Sequence, residues 1–281
     1  MKRLSPLLAR LRAMLPAGRP LVPVLRLHGA IGAVPLRGGG LSLQALEQAI
    51  GRAFAIKKAP AVALVINSPG GSPVQSSLIA ARIRQLADEK EKPVLAFVED
   101  VAASGGYWLA LAADEIIVDR SSIIGSIGVV SAGFGFTEAI HKLGIERRVH
   151  TSGPKKALLD PFRPENEQDL LLLQEVQGDI FAAFKDEVRR RRGSKLEGDD
   201  EELFSGRIWT GERALERGLV DGIGDIRSVL RARFGPRVRM AQVNRQRSWL
   251  QRRLRFAGTE TMAGELLAAL EQRLLFNRFG L

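Results

Sequence analysis

Short apolar runs alternate along this chain with longer segments in which apolar residues recur every three or four positions. The runs at 21–27, 60–66 and 94–98 predict strands, and that at 60–66 predicts a strand buried on both faces, as in a parallel sheet. Further strands are predicted at 115–118 and 145–150, and helices at 43–56, 75–88 and 165–192. This alternation indicates an α/β fold with a mostly parallel sheet.

The two ends of the chain differ from the middle in charge. The formal net charge is +11, yet residues 1–46 hold seven Lys or Arg and no acidic residue, and 245–255 hold five arginines. Leucines at helical spacing within the first fifteen residues predict an amphipathic basic helix. We therefore expect a core domain at 21–235 with helical extensions at 1–20 and 236–281.

The N-terminal helix has two interpretations. No apolar run approaches the length of a transmembrane span, and Arg10 and Arg12 interrupt any signal-peptide core. An amphipathic basic helix can lie on an anionic membrane, or it can dock on its own or a neighbouring subunit. Because the basicity is confined to the ends, it suggests contact with an anionic surface, such as a membrane touching residues 1–20, more than a nucleic-acid stripe along the chain, and no nucleic acid is expected. It does not decide between the two interpretations of the helix.

Composition narrows the chemistry. The chain has no cysteine, which excludes disulfides, thiolate metal sites and a cysteine nucleophile. The acidic run at 199–202 is typical of a helix start, and no spacing of His, Asp and Glu suggests a ligand set. We expect neither a metal nor another cofactor.

Ser104 is the candidate nucleophile. It follows the strand 94–98 through a linker, 99–103, and precedes Gly105, Gly106 and a helix predicted from 107. A serine at such a junction exposes its hydroxyl beside helix N-terminal amides, although it can equally be a plain helix cap. If the strands at 60–66 and 94–98 are neighbours, the turn at 69–71 reaches the same sheet edge and can supply a second amide for an oxyanion hole.

The base is less clear from the residues alone. None of the three histidines stands in a motif that marks a catalytic base. A buried lysine can serve, because desolvation lowers its pKa, and Lys155 and Lys156 lie in a loop with an apolar continuation. Two adjacent lysines are more often solvated, so this pattern does not select a base.

Four motifs occur in order and together resemble a known family. They are NSPGG at 67–71, ASGGY at 103–107, GSIGV at 125–129, and GRIWTG at 206–211 with GLVD at 218–221. In this order and at these intervals they resemble the signal peptide peptidase A family of serine proteases (S49 peptidases), in its short single-copy form, within the ClpP/crotonase-like superfamily. The resemblance covers about 21–230 and implies a ClpP/crotonase-like fold with repeated ββα-type units.

The resemblance also implies site residues. It maps the nucleophile of a Ser–Lys dyad onto Ser104 and, through the loop SGPKK at 152–156, the base onto Lys156. Ser126 matches a serine that orients the lysine, and the oxyanion hole maps onto the amides of Gly71 and Gly105. Short members form rings in which one protomer's lysine serves a neighbour's serine, so a homo-oligomer is expected.

The expected activity follows from this resemblance. It implies a bacterial serine endopeptidase, peripheral to the membrane or cytoplasmic, that cleaves extended, largely apolar peptides such as signal-peptide remnants. A one-place error would make Lys155 the base. The chain departs from the family in lacking a predicted transmembrane anchor and in its basic extension. The alternatives are a crotonase-like acyl-CoA enzyme and a non-catalytic membrane-associated scaffold.

Overall fold

The computed structural model describes residues 19–32, 40–153, 155–244, 276–277 and 279–280. The strands are β1 (Leu21–His28), β2 (Val62–Ser68), β3 (Val94–Ala103), β4 (Glu115–Val118), β5 (Ile123–Gly125), β6 (Ile208–Thr210), β7 (Gly222–Ile223) and β8 (Arg239–Gln242). The α-helices are α1 (Leu43–Ala55), α2 (Pro73–Glu89), α3 (Gly105–Ala110), α4 (Thr137–Lys142), α5 (Glu167–Arg192), α6 (Asp200–Leu203), α7 (Gly211–Glu216) and α8 (Ile226–Phe234).

All eight of these strands belong to one sheet. Its main order is β6-β5-β3-β2-β1-β8, with β4 paired to β3 and β7 paired to β4. Every pair is parallel except β5 with β6. The prediction of an α/β fold with a mostly parallel sheet is therefore confirmed.

Helices cover both faces of the sheet. Leu64 and Ile66 of β2 point into a core shared with α1, α2, α3 and the C-terminal half of α5. Ala63 and Val65, on the opposite face, belong to a second core that α8 covers. Burial on both faces explains why the strand sequence is a continuous apolar run rather than an alternating one.

Strand β3 is longer than predicted, and its extension leads into the turn at Ser104. Leu95–Val98 pair with β4. Part of the segment that was expected to be a linker, Val101–Ala103, continues the strand and pairs with β5. Short parallel bridges also follow β1 and β2, joining Ile31 to Leu41 and to Gly71. Each of these strands thus continues into a short second pairing beyond its carboxyl end.

Two predicted segments have a different structure. Residues 145–150 form no strand: Ile145 is 54% exposed, and Glu146 and Arg148 pair with each other instead of facing a sheet partner. The extension expected to be helical from 236 begins with β8, which pairs with β1, so the sheet continues past the expected boundary at 235. Residues 1–18 and most of the chain after 244 lie outside the described residues.

Candidate active site

Ser104 occupies a sharp turn between β3 and α3. Its φ of 51° and ψ of −121° lie in a region that non-glycine residues rarely adopt, at a cost on the order of 1–3 kcal/mol. Its N–H donates to the carbonyl oxygen of Gly125 at 2.8 Å. Its side chain makes no capping hydrogen bond, although it stands at the N-cap position of α3. Ser104 therefore does not cap α3 with its side chain, and its hydroxyl is not engaged in that role.

The helix behind Ser104 is anchored in the core. All six residues of α3 are buried. The Tyr107 hydroxyl donates to the carbonyl oxygen of Leu219 at 2.7 Å, and Trp108 stacks on Phe184 of α5 with ring centroids 4.6 Å apart. Burial raises the pKa of Tyr107 far above its ordinary value, so this hydroxyl stays a donor. These contacts fix the direction in which the turn presents its amides.

A glycine turn after β2 meets the Ser104 turn. Gly70 (φ 103°) leaves no space for a side chain, since a methyl group there would lie 2.9 Å from Ser104 Cβ and 3.0 Å from the Gly105 nitrogen. Ile31 holds this turn in place: its N–H donates to Gly70 O at 2.9 Å, and its carbonyl accepts from Ser72 at 2.8 Å. This bridge uses the Gly70 carbonyl and the Ser72 N–H and leaves the Gly71 N–H outside it.

The amides of Gly71 and Gly105 are close neighbours. A methyl group on Gly105 would lie 3.4 Å from the Gly71 nitrogen and 2.4 Å from Oγ of Ser76, a buried residue of α2. Gly105 is the first residue of α3, so its N–H has no partner within the helix. The arrangement places two backbone donors beside one serine, which is the chemical requirement of an oxyanion hole.

The motif at 125–129 supports the Ser104 turn from the other side. Gly125, whose carbonyl holds the Ser104 N–H, pairs with Ile208 of β6. The next residue, Ser126, also has a positive φ of 51°, and its N–H donates to Arg207 O at 2.8 Å. Ser126 therefore lies one residue from the carbonyl that fixes Ser104, and the motif at 206–211 supports both.

Neither lysine of the loop at 152–156 is brought to Ser104. Both lysine side chains are exposed; Lys155 Nζ lies 3.4 Å from Oε1 of Gln168, and the Lys156 N–H donates to Gly153 O at 3.1 Å. No hydrogen bond or ion pair in the described ranges joins either lysine to Ser104. Ser104, Gly71, Gly105 and the support of Ser126 come together in one chain; the predicted base does not.

The lysine loop belongs to a segment, 128–166, that packs little on the core. It has a small cluster of its own, in which Phe136 and Phe162 lie 5.6 Å apart and Arg147 stands 5.4 Å above the Phe162 ring. It also exposes large apolar side chains. These are Val130 (71% exposed), Phe134 (81%), Leu143 (73%) and Ile145 (54%).

The histidines do not offer an alternative base in this chain. His141 and His150 are exposed on the segment 128–166. His28 pairs with Glu99 at 3.0 Å, and burial lowers its pKa against the opposing effect of that carboxylate. No described contact connects any of the three to Ser104.

Sequence reasoning missed three residues that shape the site: Gly70, Ile31 and Ser76. Gly70 was read only as part of a turn, although two consecutive glycines after a buried strand signal a close backbone approach. Ile31 and Ser76 carry no sequence signal of their own, since their roles arise from the packing of separate elements.

The described residues offer neither a metal site nor a membrane-spanning helix. No group of three or more His, Cys, Asp or Glu side chains in that part of the chain could hold a metal ion. None of the described helices has the length and apolar character needed to cross a bilayer.

Comparison with known proteins identifies the class and then the family. The motif order, the mostly parallel sheet and the half-buried Ser104 beside two backbone amides are those of a peptidase. The family model of peptidase family S49 matches residues 87–233, more than half of the chain. The chain belongs to this family, as the resemblance to the signal peptide peptidase A proteins predicts.

Several proteins are similar to this chain. A protein of Brucella abortus (strain 2308) named Na⁺/H⁺ antiporter NhaA is 51% identical over 273 residues, covering 92% of this chain and 37% of that protein. The chloroplastic serine protease SPPA of Arabidopsis thaliana is 34% identical over 221 residues, covering 75% and 32%. The chain thus spans about a third of the length of these relatives.

A solved structure is also similar. It is a lysine-to-alanine mutant of the 1510-N membrane-bound stomatin-specific protease in complex with a substrate peptide. The identity is 18%, the coverage 76% of this chain and 80% of that one, and the TM-score 0.46.

Proposed function

We propose that this chain is a serine endopeptidase that uses Ser104 as nucleophile and Lys156 as general base, with the base supplied by a second copy of the chain. The observation that carries the proposal is the meeting of two backbone turns at Ser104. The hydroxyl is free of a capping role, and the amides of Gly71 and Gly105 lie beside it.

The reaction is an acyl transfer in two halves. Ser104 Oγ attacks the carbonyl carbon of the scissile bond while its proton passes to a neutral Lys156 Nζ, and the two amides hold the resulting oxyanion. The C–N bond then breaks as Lys156 returns the proton to the leaving amine. Lys156 then takes a proton from water as that water attacks the acyl carbonyl carbon, and it gives the proton to Ser104 Oγ as the bond between Oγ and the acyl group breaks. A base of this kind contributes roughly 10²–10⁴-fold, and one oxyanion donor about 10²–10³-fold.

The exposure of Lys156 is the reason for a second copy. A lysine acts as a base near neutral pH only when burial disfavours its ammonium form. In a single chain this side chain is exposed, on a segment that also exposes Phe134 and Leu143. A neighbouring protomer that covers those apolar side chains would bury the lysine at the same time. Ser126, next to the Ser104 turn, would then orient the incoming Nζ.

The surroundings of the oxyanion turn favour an apolar, extended substrate. Val74 and Leu78, 64% and 43% exposed, lie one helical turn apart on α2, directly after Gly71. They offer an apolar contact to side chains on one side of the scissile bond. Membrane-derived segments such as signal-peptide remnants have that character.

The similarity to proteins named as antiporters does not change this proposal. The stretch shared with them includes the S49 match at 87–233, so the peptidase function is the one to carry over from that stretch.

Labelling with a fluorophosphonate probe tests the nucleophile and the base together. We expect the wild type to be labelled, Ser104→Ala to be unlabelled, and Lys156→Ala to be labelled at least 100-fold more slowly. Lys155→Ala is the matched control, since it removes the same charge one residue away, and it should keep near-wild-type labelling. Equal loss in both lysine variants would contradict the assignment, and loss in Lys155→Ala alone would move the base by one place.

A further inference from the structure

At one edge of the sheet, a group of cations forms no ion pair within the part of the chain that the structure describes. Because β2, β1 and β8 are adjacent and parallel, the loops that precede them lie side by side, about 5 Å apart from strand to strand. These loops contain Arg19, Lys57, Lys58 and Arg237, and β8 begins with Arg239. We name these five residues the basic edge.

All five side chains of the basic edge are exposed, and none forms an ion pair with a carboxylate in the residues that the structure describes. The Arg239 N–H donates to Pro20 O at 2.8 Å, which ties the β8 end of the edge to the start of β1. Residues 19–21, 56–61 and 235–239 contain no Asp or Glu.

The unpaired cations become fewer at the neighbouring strands. The loop before β3 contains Lys90, Glu91 and Lys92 and so keeps a net positive charge. At the start of β4, by contrast, Glu115 pairs with Arg233. The basic edge is therefore a concentration of cations without ion pairs, among the described residues, at three adjacent strands. A patch of this kind attracts polyanions.

The geometry points to an anionic phospholipid bilayer as the partner of the basic edge. Arg19 is where the chain enters the described domain, directly after residues 1–18, whose sequence carries leucines at helical spacing between Lys2, Arg3, Arg10 and Arg12. That pattern suits a bilayer, which offers an apolar layer beneath anionic headgroups, better than a nucleic acid, which offers only the charge. Membrane attachment of an amphipathic segment is stable when a second, polybasic signal supports it.

This placement determines where the serine lies. Ser104 follows the carboxyl end of β3, whose ten residues extend about 30 Å at roughly 3.3 Å each. The basic edge is at the amino ends of the strands. A domain docked by that edge therefore holds Ser104 on the side away from the bilayer, so it would cleave segments that have left the bilayer. The docking itself does not depend on the proposed peptidase function.

Vesicle binding of the full chain tests the basic edge. Vesicles of phosphatidylcholine with 30% phosphatidylglycerol are titrated with the wild type and with Lys57→Gln/Lys58→Gln/Arg237→Gln. A cation near such a surface contributes about fivefold in partition coefficient, so the triple variant should bind on the order of 100-fold more weakly. The matched control Lys142→Gln/Arg213→Gln/Arg227→Gln removes the same charge from exposed positions elsewhere and should bind within about threefold of the wild type.

Several results would overturn the inference. Equal weakening in both triple variants would mean that only net charge matters. Unchanged binding of the edge variant, or wild-type binding that does not weaken between 50 and 500 mM NaCl, would remove the edge from the interaction. A loss of duplex DNA binding in the edge variant without a loss of vesicle binding would make it a nucleic-acid surface. The salt titration needs no variant, so binding that does not weaken with salt would contradict the inference even if a variant folds poorly.

Orientation is tested separately from activity. Because the chain has no cysteine, Pro236→Cys at the basic edge and Ser121→Cys, after the carboxyl end of β4, each carry one fluorescent label. Headgroup nitroxide lipids should quench the label at 236 strongly and that at 121 weakly. Equal quenching would contradict the orientation, whereas loss of peptidase activity would affect neither reading.

Discussion

Two regions of the molecule contribute to the proposed site in different ways. One is the sheet with the residues of its two cores, which we call the packed half, and the other is the segment 128–166. The packed half holds Ser104 and two glycine amides through contacts made within one chain: a strained turn, a buried helix and the Ile31 bridge. The segment 128–166 holds Lys156 on an exposed loop among exposed apolar side chains. Under the proposed mechanism, the nucleophile and the oxyanion donors are therefore positioned within one chain, whereas the lysine base requires a second copy.

The largest expected effect is complementation between two inactive variants, which tests whether the dyad forms between copies of the chain. Ser104→Ala keeps its lysine and Lys156→Ala keeps its serine, so neither homo-oligomer has a complete dyad, and each should be at least 100-fold less active. If the dyad forms between copies, unfolding and refolding an equal mixture should restore roughly a quarter of the wild-type activity, because half of the serines and half of the lysines are intact. Casein hydrolysis measures the recovery.

The control for this experiment is Ser104→Ala mixed with Ser104→Ala/Lys156→Ala, which has no intact serine and should stay inactive. Mixed oligomers without recovered activity would show that serine and lysine have to come from the same chain. The segment 128–166 would then have to fold back onto its own core.

The parts of the site that sequence could predict are those built from local chain geometry. A buried apolar run followed by Ser-Gly-Gly predicts a strand, a turn and a helix N-terminus without knowledge of the partners, and the turn at 67–71 follows from the same logic. The strand wrongly predicted at 145–150 shows the limit: its apolar residues have no neighbouring strand, which only the fold decides. Ile31 and Ser76 were missed for the same reason, since both act across elements distant in sequence.

The next largest effect concerns Gly105, whose amide is one of the two proposed oxyanion donors in the packed half. A methyl group on Gly105 would lie 2.4 Å from Ser76 Oγ, so Gly105→Ala must displace the turn or α2. We expect kcat to fall about 10²–10³-fold, the cost of losing one oxyanion donor, with a smaller change in KM. Adding Ser76→Ala removes the nearest atom and should recover part of the loss, although Ile31 Cδ1 at 3.2 Å still limits the space.

Gly178→Ala gives the matched control outside the packed half. Gly178 lies in the N-terminal half of α5, where a methyl group would meet nothing within 4 Å, so activity should not change. A near-normal kcat in Gly105→Ala would mean that this amide does not hold the oxyanion.

The smallest effect compares the two halves of α5, because this helix begins directly after the segment 128–166 and ends in the packed core. Val188 is fully buried in the packed half, whereas Val176, three turns earlier, is 49% exposed. Val188→Ala removes two buried methyl groups and leaves a cavity, which should lower the free energy of unfolding by about 2 kcal/mol. Val176→Ala in a single chain should change it by less than about 0.5 kcal/mol.

Urea unfolding at low and high protein concentration separates folding from assembly in these two variants. At low concentration only Val188→Ala should shift the midpoint. If neighbouring copies cover the exposed half of α5, Val176→Ala should weaken the concentration dependence of the midpoint while leaving the dilute chain unchanged. An equal loss in both variants at low concentration would mean that the N-terminal half of α5 is already packed in one chain, and the contrast between a complete packed half and an incomplete segment would fail.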